Sequence, residues 1–556
     1  SLSEIVFVLA KDVSKTSSGK IQRYRNKERL VEGTLPVIEH VRFSEKEVKR
    51  GALTERNTST YPPFTKDYWE LLRYYKLSGK ENTTLTNSGL DSIQLAEFSH
   101  DLEIYLRNKG FNDLSHDVDI KLLQKMVVSD LFEILGVFET KSKLARFKFK
   151  KAFMDLRSEY QKAELSLMAS DVLLSHSKEM LSESELSGSM QNSILLTGGT
   201  GFFGPFLIKS LLEQTAESIY VLVRANSKEQ AVNRLRKSFN TLHIESQKLS
   251  DSFEKRVIPV CGDLSKENLG LSEKDWNFLS VNVKTIYHNG ASVNYLKDYH
   301  TLRGANVLGT KEVIELALCN RAKTVNHIST TFIFGWSIKD TLFETDSNKD
   351  MKFLDFGYSQ SKWASDQMVL KAMENGLEAR VFRPALISPS AHGEGYNFDI
   401  SIRLLAFMVK HGIGTTAKNQ VSFTPADIAA NNIVAIAGIE SSVNQTFHVT
   451  RDEYSSMQDV TGILSKLVGM DFTDYKLKEF VPEVVSRCTK KDPLFPLLNF
   501  LVKSVDNIGN MEFKRYDNSN YKKFRDLSTF GKPDLPLEDV VQGIYKFMNC
   551  NKLIEA

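Results

Sequence analysis

The chain has 556 residues, enough for about three or four domains. Lys plus Arg number 72 against 69 Asp plus Glu, a formal net charge of +3, which argues against a dedicated nucleic-acid binder. Gly and Pro number 30 and 13, which excludes a collagen-like or low-complexity chain, and no apolar run is long enough for a membrane span. Cys261, Cys319, Cys488 and Cys550 are far apart and form no CxxC pair, so neither a zinc site nor a disulfide framework is indicated. A reducing, cytoplasmic setting is expected. The chain opens at Ser1 without a basic stretch ahead of its first apolar residues, so a signal peptide is not expected and a fragment of a longer protein is.

Residues 5–10 read as a strand, followed by a small, polar, basic segment from Lys15 to Arg23. Residues 44–64, with Pro62 and Pro63, read as a linker. Residues 66–135 carry a helical pattern. Residues 141–162 are strongly basic with interleaved Phe147, Phe149, Phe153, Leu156 and Tyr160, and a solvated linker helix is expected there. From Ser193 the rhythm is strand, Gly-rich turn, helix, strand, helix. Strands are predicted at 193–197, 219–223, 256–260, 283–287, 324–329 and 379–383, which argues for a parallel, doubly wound sheet.

The apolar strand Ser193–Thr197 runs directly into Gly198-Gly199-Thr200-Gly201-Phe202-Phe203-Gly204, and a helix opens at Pro205. Glycines at this spacing allow a tight turn and close backbone approach to a pyrophosphate, and the helix N-terminus supplies N–H donors. The second strand ends in Arg224, where an NAD-preferring fold would carry an acid. Arg224, with Arg234 as a second contact, therefore favours the 2′-phosphate of NADP. Asp263, beside Leu264 at the end of the third strand, is placed to accept from an adenine amino group. Asn289, Gly290 and Ala291 end the fourth strand with residues small enough for backbone to pass close to a cofactor.

Tyr358 and Lys362 are four apart, hence on one face of a helix. A lysine cation beside a phenol lowers its pKa toward neutrality and equips it to exchange a proton during hydride transfer. Thr330, at the tip of the fifth strand, is the preferred hydroxyl for a developing oxyanion, with Ser329 and Thr331 as alternatives because adjacent strand residues face opposite ways.

From about residue 165 onward the chain resembles the thioester reductase domains of carboxylic acid reductases and nonribosomal peptide synthetases, which are extended short-chain dehydrogenase/reductases. The resemblance rests on residues 197–204, Val221-Leu222-Val223-Arg224, Gly262-Asp263, residues 288–294, Asn306-Val307-Leu308-Gly309-Thr310, Ser329-Thr330, the Tyr358/Lys362 pair and Arg383-Pro384. It implies that Thr330, Tyr358 and Lys362 are catalytic and that the cofactor is NADPH. Gly198, Thr200, Gly201, Phe202, Gly204, Arg224, Arg234, Asp263, Leu264, Asn289, Ala291 and Lys362 are the expected cofactor contacts. Gly199 departs from the alanine common in that family, a change expected to be harmless.

Asn87-Ser88-Gly89-Leu90-Asp91-Ser92-Ile93 resembles the phosphopantetheine attachment site of carrier domains. On residues alone, Ser92 could equally be a helix cap. The resemblance implies that Ser92 carries 4′-phosphopantetheine, installed by a phosphopantetheinyl transferase. Residues 81–140 are acidic, and electrostatic steering toward the basic 141–162 segment is expected. Residues 15–23, continued by Leu30-Val31-Glu32-Gly33-Thr34-Leu35, resemble the C-terminal tail of adenylate-forming enzymes, fatty acyl-AMP ligases in particular. Lys20 would be the adenylation lysine, and an upstream acyl-AMP ligase domain is the implied partner.

The expected architecture is multidomain. An adenylate-forming remnant at 1–42 is followed by a small α-helical carrier bundle at 65–140, then a linker with reductase N-terminal helices at 141–190. An NADP-binding Rossmann-type α/β reductase at 191–556 follows, with a smaller C-terminal substrate lobe beyond about 384 and Gly393, Gly395 and Asp399 near its entrance. The expected activity is reductive release of a carrier-bound acyl thioester, fatty acyl being favoured, to an aldehyde or on to an alcohol. No nucleic acid, metal or membrane span is expected. The alternatives are another activity on the same fold, such as a nucleotide-sugar epimerase or dehydratase, and a non-catalytic carrier or scaffold.

Overall fold

The computed structural model describes residues 4–7, 39–42, 68–173 and 191–554, with short gaps inside the last two stretches. The segment 15–35, with Lys20, lies outside the described residues. The chain divides into two compact units, Ser1–Ala163 and Glu164–Ala556.

In the first unit, Glu4–Phe7 pairs antiparallel with Glu39–Arg42. Helices α1 (Tyr68–Tyr74), α2 (Ser92–Asn108), α3 (Ile120–Leu123) and α4 (Val128–Glu139) follow. Leu72, Phe98, Leu102, Leu131, Leu135 and Phe138 supply their shared core, and the Tyr75 hydroxyl donates to buried Asp101 at 2.6 Å. The turn before α2 closes on Gly89 at φ 90°, a left-handed conformation suited to glycine. Helix α5 (Lys143–Val172) covers the basic stretch. It is not the wholly solvated helix expected: Phe149 and Phe153 are buried in the first unit's core. Their i, i+4 spacing makes one apolar stripe along an otherwise charged surface.

The second unit is built on a seven-stranded, all-parallel sheet. Its strands are β1 (Ser193–Thr197), β2 (Ile219–Val223), β3 (Val257–Cys261), β4 (Val283–His288), β5 (Thr324–Ile328), β6 (Ala379–Pro384) and β7 (Gln445–Val449). Their order is β7-β6-β5-β4-β1-β2-β3. It is a doubly wound sheet, with ligand sites expected at the carboxyl ends where the strand order reverses beside β1. The first six strands lie within one residue of their predicted ranges at either end. The seventh is a correction, because the chain beyond 384 is not simply a lobe: β7 returns to pair with β6, from Gln445↔Arg380 to Val449↔Pro384.

One sheet face carries Ile194, Leu196, Val221 and Phe447 under α6 (Gly204–Gln214). The other carries Leu195, Ile286, Val325 and Val381 under α7 (Gly309–Leu318) and α8 (Gly357–Glu374). This is strand alternation with both faces buried. A separate apolar cluster joins α9 (Ile400–His411) to Phe423, Val460, Val484, Val540 and Phe547 and forms the lobe's own core.

Candidate active site

The Gly-rich turn leaves β1 at its carboxyl end. Gly198 has φ 73°, and a Cβ there would lie 2.7 Å from Gly290, so the first and fourth strand ends touch backbone to backbone. A Cβ on Gly204 would meet the Gly198 carbonyl at 2.4 Å. These glycines are what allow the turn to close over the start of α6, where Pro205 occupies the first turn. Gly199 is also sterically required: its Cβ would lie 2.3 Å from Val221 Cγ1.

The turn is held from β4. Gly290 N donates to Thr197 Oγ1 at 2.9 Å, and Asn289 Nδ2 donates to the Gly198 carbonyl at 3.2 Å. His288 lies between the hydroxyls of Thr197 (2.8 Å) and Thr310 (2.9 Å). Burial and the Lys362 charge push its pKa down to about 3, so a neutral imidazole ties β1 to α7. Leu264 is wedged between two glycines, since added Cβ atoms at Gly290 and Gly309 would strike Leu264 at 2.4 and 2.7 Å. Asp263 Oδ1 accepts from Ser265 N and Oγ at 3.0 and 2.8 Å, which fixes its carboxylate at the end of β3. Phe202 packs edge-to-face on Phe206, and the loop at Gly395 lies directly against Phe202. Thr200, half-buried, and exposed Gly201 sit at the apex of the turn, and Ala291 lies just beyond β4.

Arg224 directly follows β2, and an Arg234 guanidinium N–H donates to its carbonyl. Burial and the Arg224 charge hold Arg234 below its ordinary pKa. A surface cavity of about 380 Å³ beside Arg234 is lined by Ser227, Gln230, Asn233 and Lys237, with Glu229 also in its wall. The Arg234 guanidinium and the Lys237 ammonium line this cavity, with the Glu229 carboxylate opposing their charge. The glycine cradle fits a nicotinamide dinucleotide.

Thr330, Tyr358 and Lys362 converge, all at most 8% exposed. The Thr330 side chain is near enough to the Tyr358 hydroxyl to lower its pKa; Thr330 Oγ1 accepts from Phe332 N at 3.3 Å and lies 3.4 Å from the Pro384 carbonyl. Thr330 is thus the hydroxyl that meets Tyr358. Ser329 faces the other way and donates to Asp366 at 2.6 Å, and Thr331 is hydrogen-bonded with Tyr516.

One expectation needs correction. Tyr358 is not brought toward neutrality: burial pushes its pKa up to about 12, opposed by the Thr330 side chain and reinforced by Asp399. The Lys362 ammonium instead donates to the Ile328 carbonyl at 2.9 Å. Burial lowers Lys362 to about 8, with Asp366 opposing.

Two supporting networks were not singled out from sequence. Asp366, fully buried, receives Arg383 Nε and Nη2 at 3.0 and 2.9 Å together with the Ser329 hydroxyl. Asp366 lies four residues after Lys362, a spacing that could have flagged it. Asn306, on a π-helical turn at Gly304–Leu308, accepts from Ser292 N and donates to the Ser292 carbonyl and Ser361 Oγ. A single π turn inside a helix often marks a functional position. Asp399 caps α9, accepting from Ile402 N at 3.0 Å.

Fold and Gly-rich turn together are those of a nicotinamide-dinucleotide-binding domain. Residues 196–433 match the NAD-binding family model described as Male sterility protein. The chain is similar to a linear gramicidin synthase of Brevibacillus parabrevis, 32% identical over 300 residues, which are 53% of this chain and 6% of that protein. It is also similar to L-2-aminoadipate reductase of Schizosaccharomyces pombe, 28% identical over 380 residues, 63% of this chain and 26% of that protein. The chain therefore spans only a minor part of these relatives. Among solved structures, the terminal R domain of the myxalamid PKS-NRPS pathway superposes with a TM-score of 0.64 at 26% identity, covering 71% of this chain and 99% of that one. A thiolation-reductase di-domain from an archaeal nonribosomal peptide synthetase shares the fold at 18% identity, with a TM-score of 0.57 over 87% of this chain and 96% of that one. The resemblance to the reductase part of nonribosomal-peptide-synthetase-like proteins is thus shown.

Ser92 is the first residue of α2, while its side chain and Asp91 lie outside the described residues. Among the described residues no group of three or more His, Cys, Asp or Glu could hold a metal, and no helix is long and apolar enough to cross a membrane.

Proposed function

We propose that the chain catalyses NADPH-dependent reductive release of an acyl group held as a phosphopantetheine thioester on Ser92, giving an aldehyde. The observation that carries this reading is the Thr330–Tyr358 hydroxyl pair, with buried Lys362 one turn along the same helix as Tyr358. NADPH bound along the Gly198–Gly204 turn, with its 2′-phosphate at Arg224 and Arg234, would supply the hydride. With its pKa near 12, Tyr358 stays protonated at neutral pH and acts as a hydrogen-bond donor. Thr330 and Tyr358 together hold the thioester oxygen as charge develops on it. Lys362, charged below about pH 8, adds positive potential at the same place. The thiohemiacetal left by hydride addition collapses to the aldehyde and the free pantetheine thiol, and a second round would give the alcohol.

Tethering supports the carrier assignment, because an arm on Ser92 would present the thioester at roughly millimolar effective concentration. A phosphopantetheinyl transferase would load Ser92 and an upstream adenylate-forming domain would supply the acyl group. The resemblance of residues 30–35 to fatty acyl-AMP ligases favours a fatty acyl chain. The domain limits that go with this reading are 1–42, 65–140, 141–190 and 191–556.

The test is single turnover. Ser92 is loaded with acyl-phosphopantetheine, NADPH is added, and absorbance and released product are followed. Aldehyde release with NADPH oxidation is expected. In Tyr358→Phe, turnover should fall by about 10²–10³-fold, the scale for one lost oxyanion donor, with NADPH binding retained. Acyl groups of several lengths that all stay attached would overturn the release reading, and a Ser92 that cannot be loaded would overturn the carrier assignment.

A further inference from the structure

The last three turns of α5 carry three buried residues at i, i+4 and i+7: Glu164, Met168 and Asp171, 6%, 0% and 0% exposed. That spacing makes one helix face. Met168 packs in the apolar cluster that holds Trp363, Ala364 and Met368 of the catalytic helix α8. Glu164 Oε2 accepts from Gln360 Nε2 at 2.6 Å, and Gln360 stands between Tyr358 and Lys362 on α8. Two residues from Tyr358 is more than half a helical turn, so Gln360 faces away from the reacting atoms and acts on α8 from behind.

Asp171 works on the neighbouring segment. It accepts from the Tyr299 hydroxyl at 2.6 Å and takes Arg303 bidentately, Nε at 2.7 Å and Nη2 at 2.5 Å. The backbone at 297–299 is the surface on which α8 starts, since a Cβ on Gly357 would lie 2.3–2.6 Å from Lys297, Asp298 and Tyr299. The chain then continues from Arg303 into the turn whose Asn306 donates to Ser361 Oγ at 2.9 Å. Glu164 therefore grips α8 directly, while Asp171 grips the segment that supports its first turn.

We infer that Glu164 and Asp171 are positioning residues for the reduction step, setting the rotation and seating of α8 that bring Tyr358 to Thr330. The inference rests on the reductase reading for its kinetic consequence only. A geometric error of about 1 Å at reacting groups can cost about 10²-fold in rate, so a hydrogen bond far from the chemistry can have a large effect.

The test uses the full chain with Glu164→Ala and Glu164→Gln, Gln keeping a carbonyl oxygen to accept from Gln360. At a temperature where near-ultraviolet circular dichroism shows all three proteins folded, Glu164→Ala should lose about 10- to 100-fold in kcat. KM for NADPH should be unchanged, and Glu164→Gln should recover most of the rate. A Glu164→Ala protein with lower Tm but wild-type kcat would overturn the inference, because Glu164 would then serve stability alone. Should the wild-type chain reduce no thioester, the reductase reading fails, and the inference is judged by hydrogen–deuterium exchange across residues 357–363. Faster exchange there in Glu164→Ala than in Glu164→Gln upholds the coupling, and equal exchange overturns it.

Discussion

Lys362 is the residue whose charge the proposed chemistry uses and whose titration falls near working pH. Burial holds its pKa down to about 8. Below that value the ammonium is present and adds to the potential at the thioester oxygen; above it the charge is lost. Tyr358, near 12, does not titrate in this range. The kcat/KM profile should therefore be flat from about pH 6.5 and fall on an alkaline limb near 8. Lys362→Arg, which keeps its charge at all these pH values, should have lower activity but no such limb. A limb that persists in Lys362→Arg would assign the titration to another group. Sequence alone made the Tyr358/Lys362 pair legible because a spacing of four is a local property. The direction of the Tyr358 shift was not legible, because it depends on burial by α8 and its neighbours and on where the Lys362 ammonium finds an acceptor. The same limit hid Asp366. Its partners Ser329 and Arg383 are 37 and 17 residues away in sequence, so its spacing of four from Lys362 is the one local mark it carries.

The element that was read most completely is the β1–turn–α6 unit, because glycine spacing, Pro205 and an apolar strand all point the same way. The structure adds how little room it has. In Gly199→Ala the new methyl would sit 2.3 Å from Val221 Cγ1, inside the sheet's apolar layer, where neighbours cannot give freely. Overpacking of this kind typically costs about 1–3 kcal/mol. Thermal or urea unfolding should show a loss of that size, and NADPH affinity should weaken as the turn shifts; wild-type stability would mean that β2 yields more readily than its packing indicates. Strand β7 was missed for the opposite reason. Gln445-Thr446-Phe447-His448-Val449 has few apolar residues to mark it, and its place is decided by pairing with β6, a partner more than 60 residues earlier.

At the scale of the whole second unit, one carboxylate joins three distant stretches. Glu344 is 5% exposed and accepts from the backbone N–H groups of His448, Asn520 and Tyr521 at 2.9, 2.6 and 2.9 Å. Burial outweighs those three donors and raises its pKa to about 7. A carboxyl whose folded pKa lies above its unfolded value binds its proton more tightly when folded. Its penalty on folding is full above about pH 7 and fades as pH falls toward its ordinary value near 4.5. At most about 3 kcal/mol is involved. Between pH 8 and 5.5, the wild-type chain should gain stability from this group, seen as a rising urea midpoint. Glu344→Gln should show a smaller rise over the same range, and an identical rise in both would remove Glu344 from the account.

The apolar layer on the α6 face joins Ile194 of β1 to Phe447 of β7 and to Tyr521 and Phe524. Its first and last members are separated by some 330 residues of chain. A ribosome adding roughly 5–20 residues per second needs about 15–65 s to make that stretch. For that interval the central strands exist without the full layer that covers them. The nascent second unit spends that time with α6 already over part of this layer and its last members, Tyr521 and Phe524, still to come.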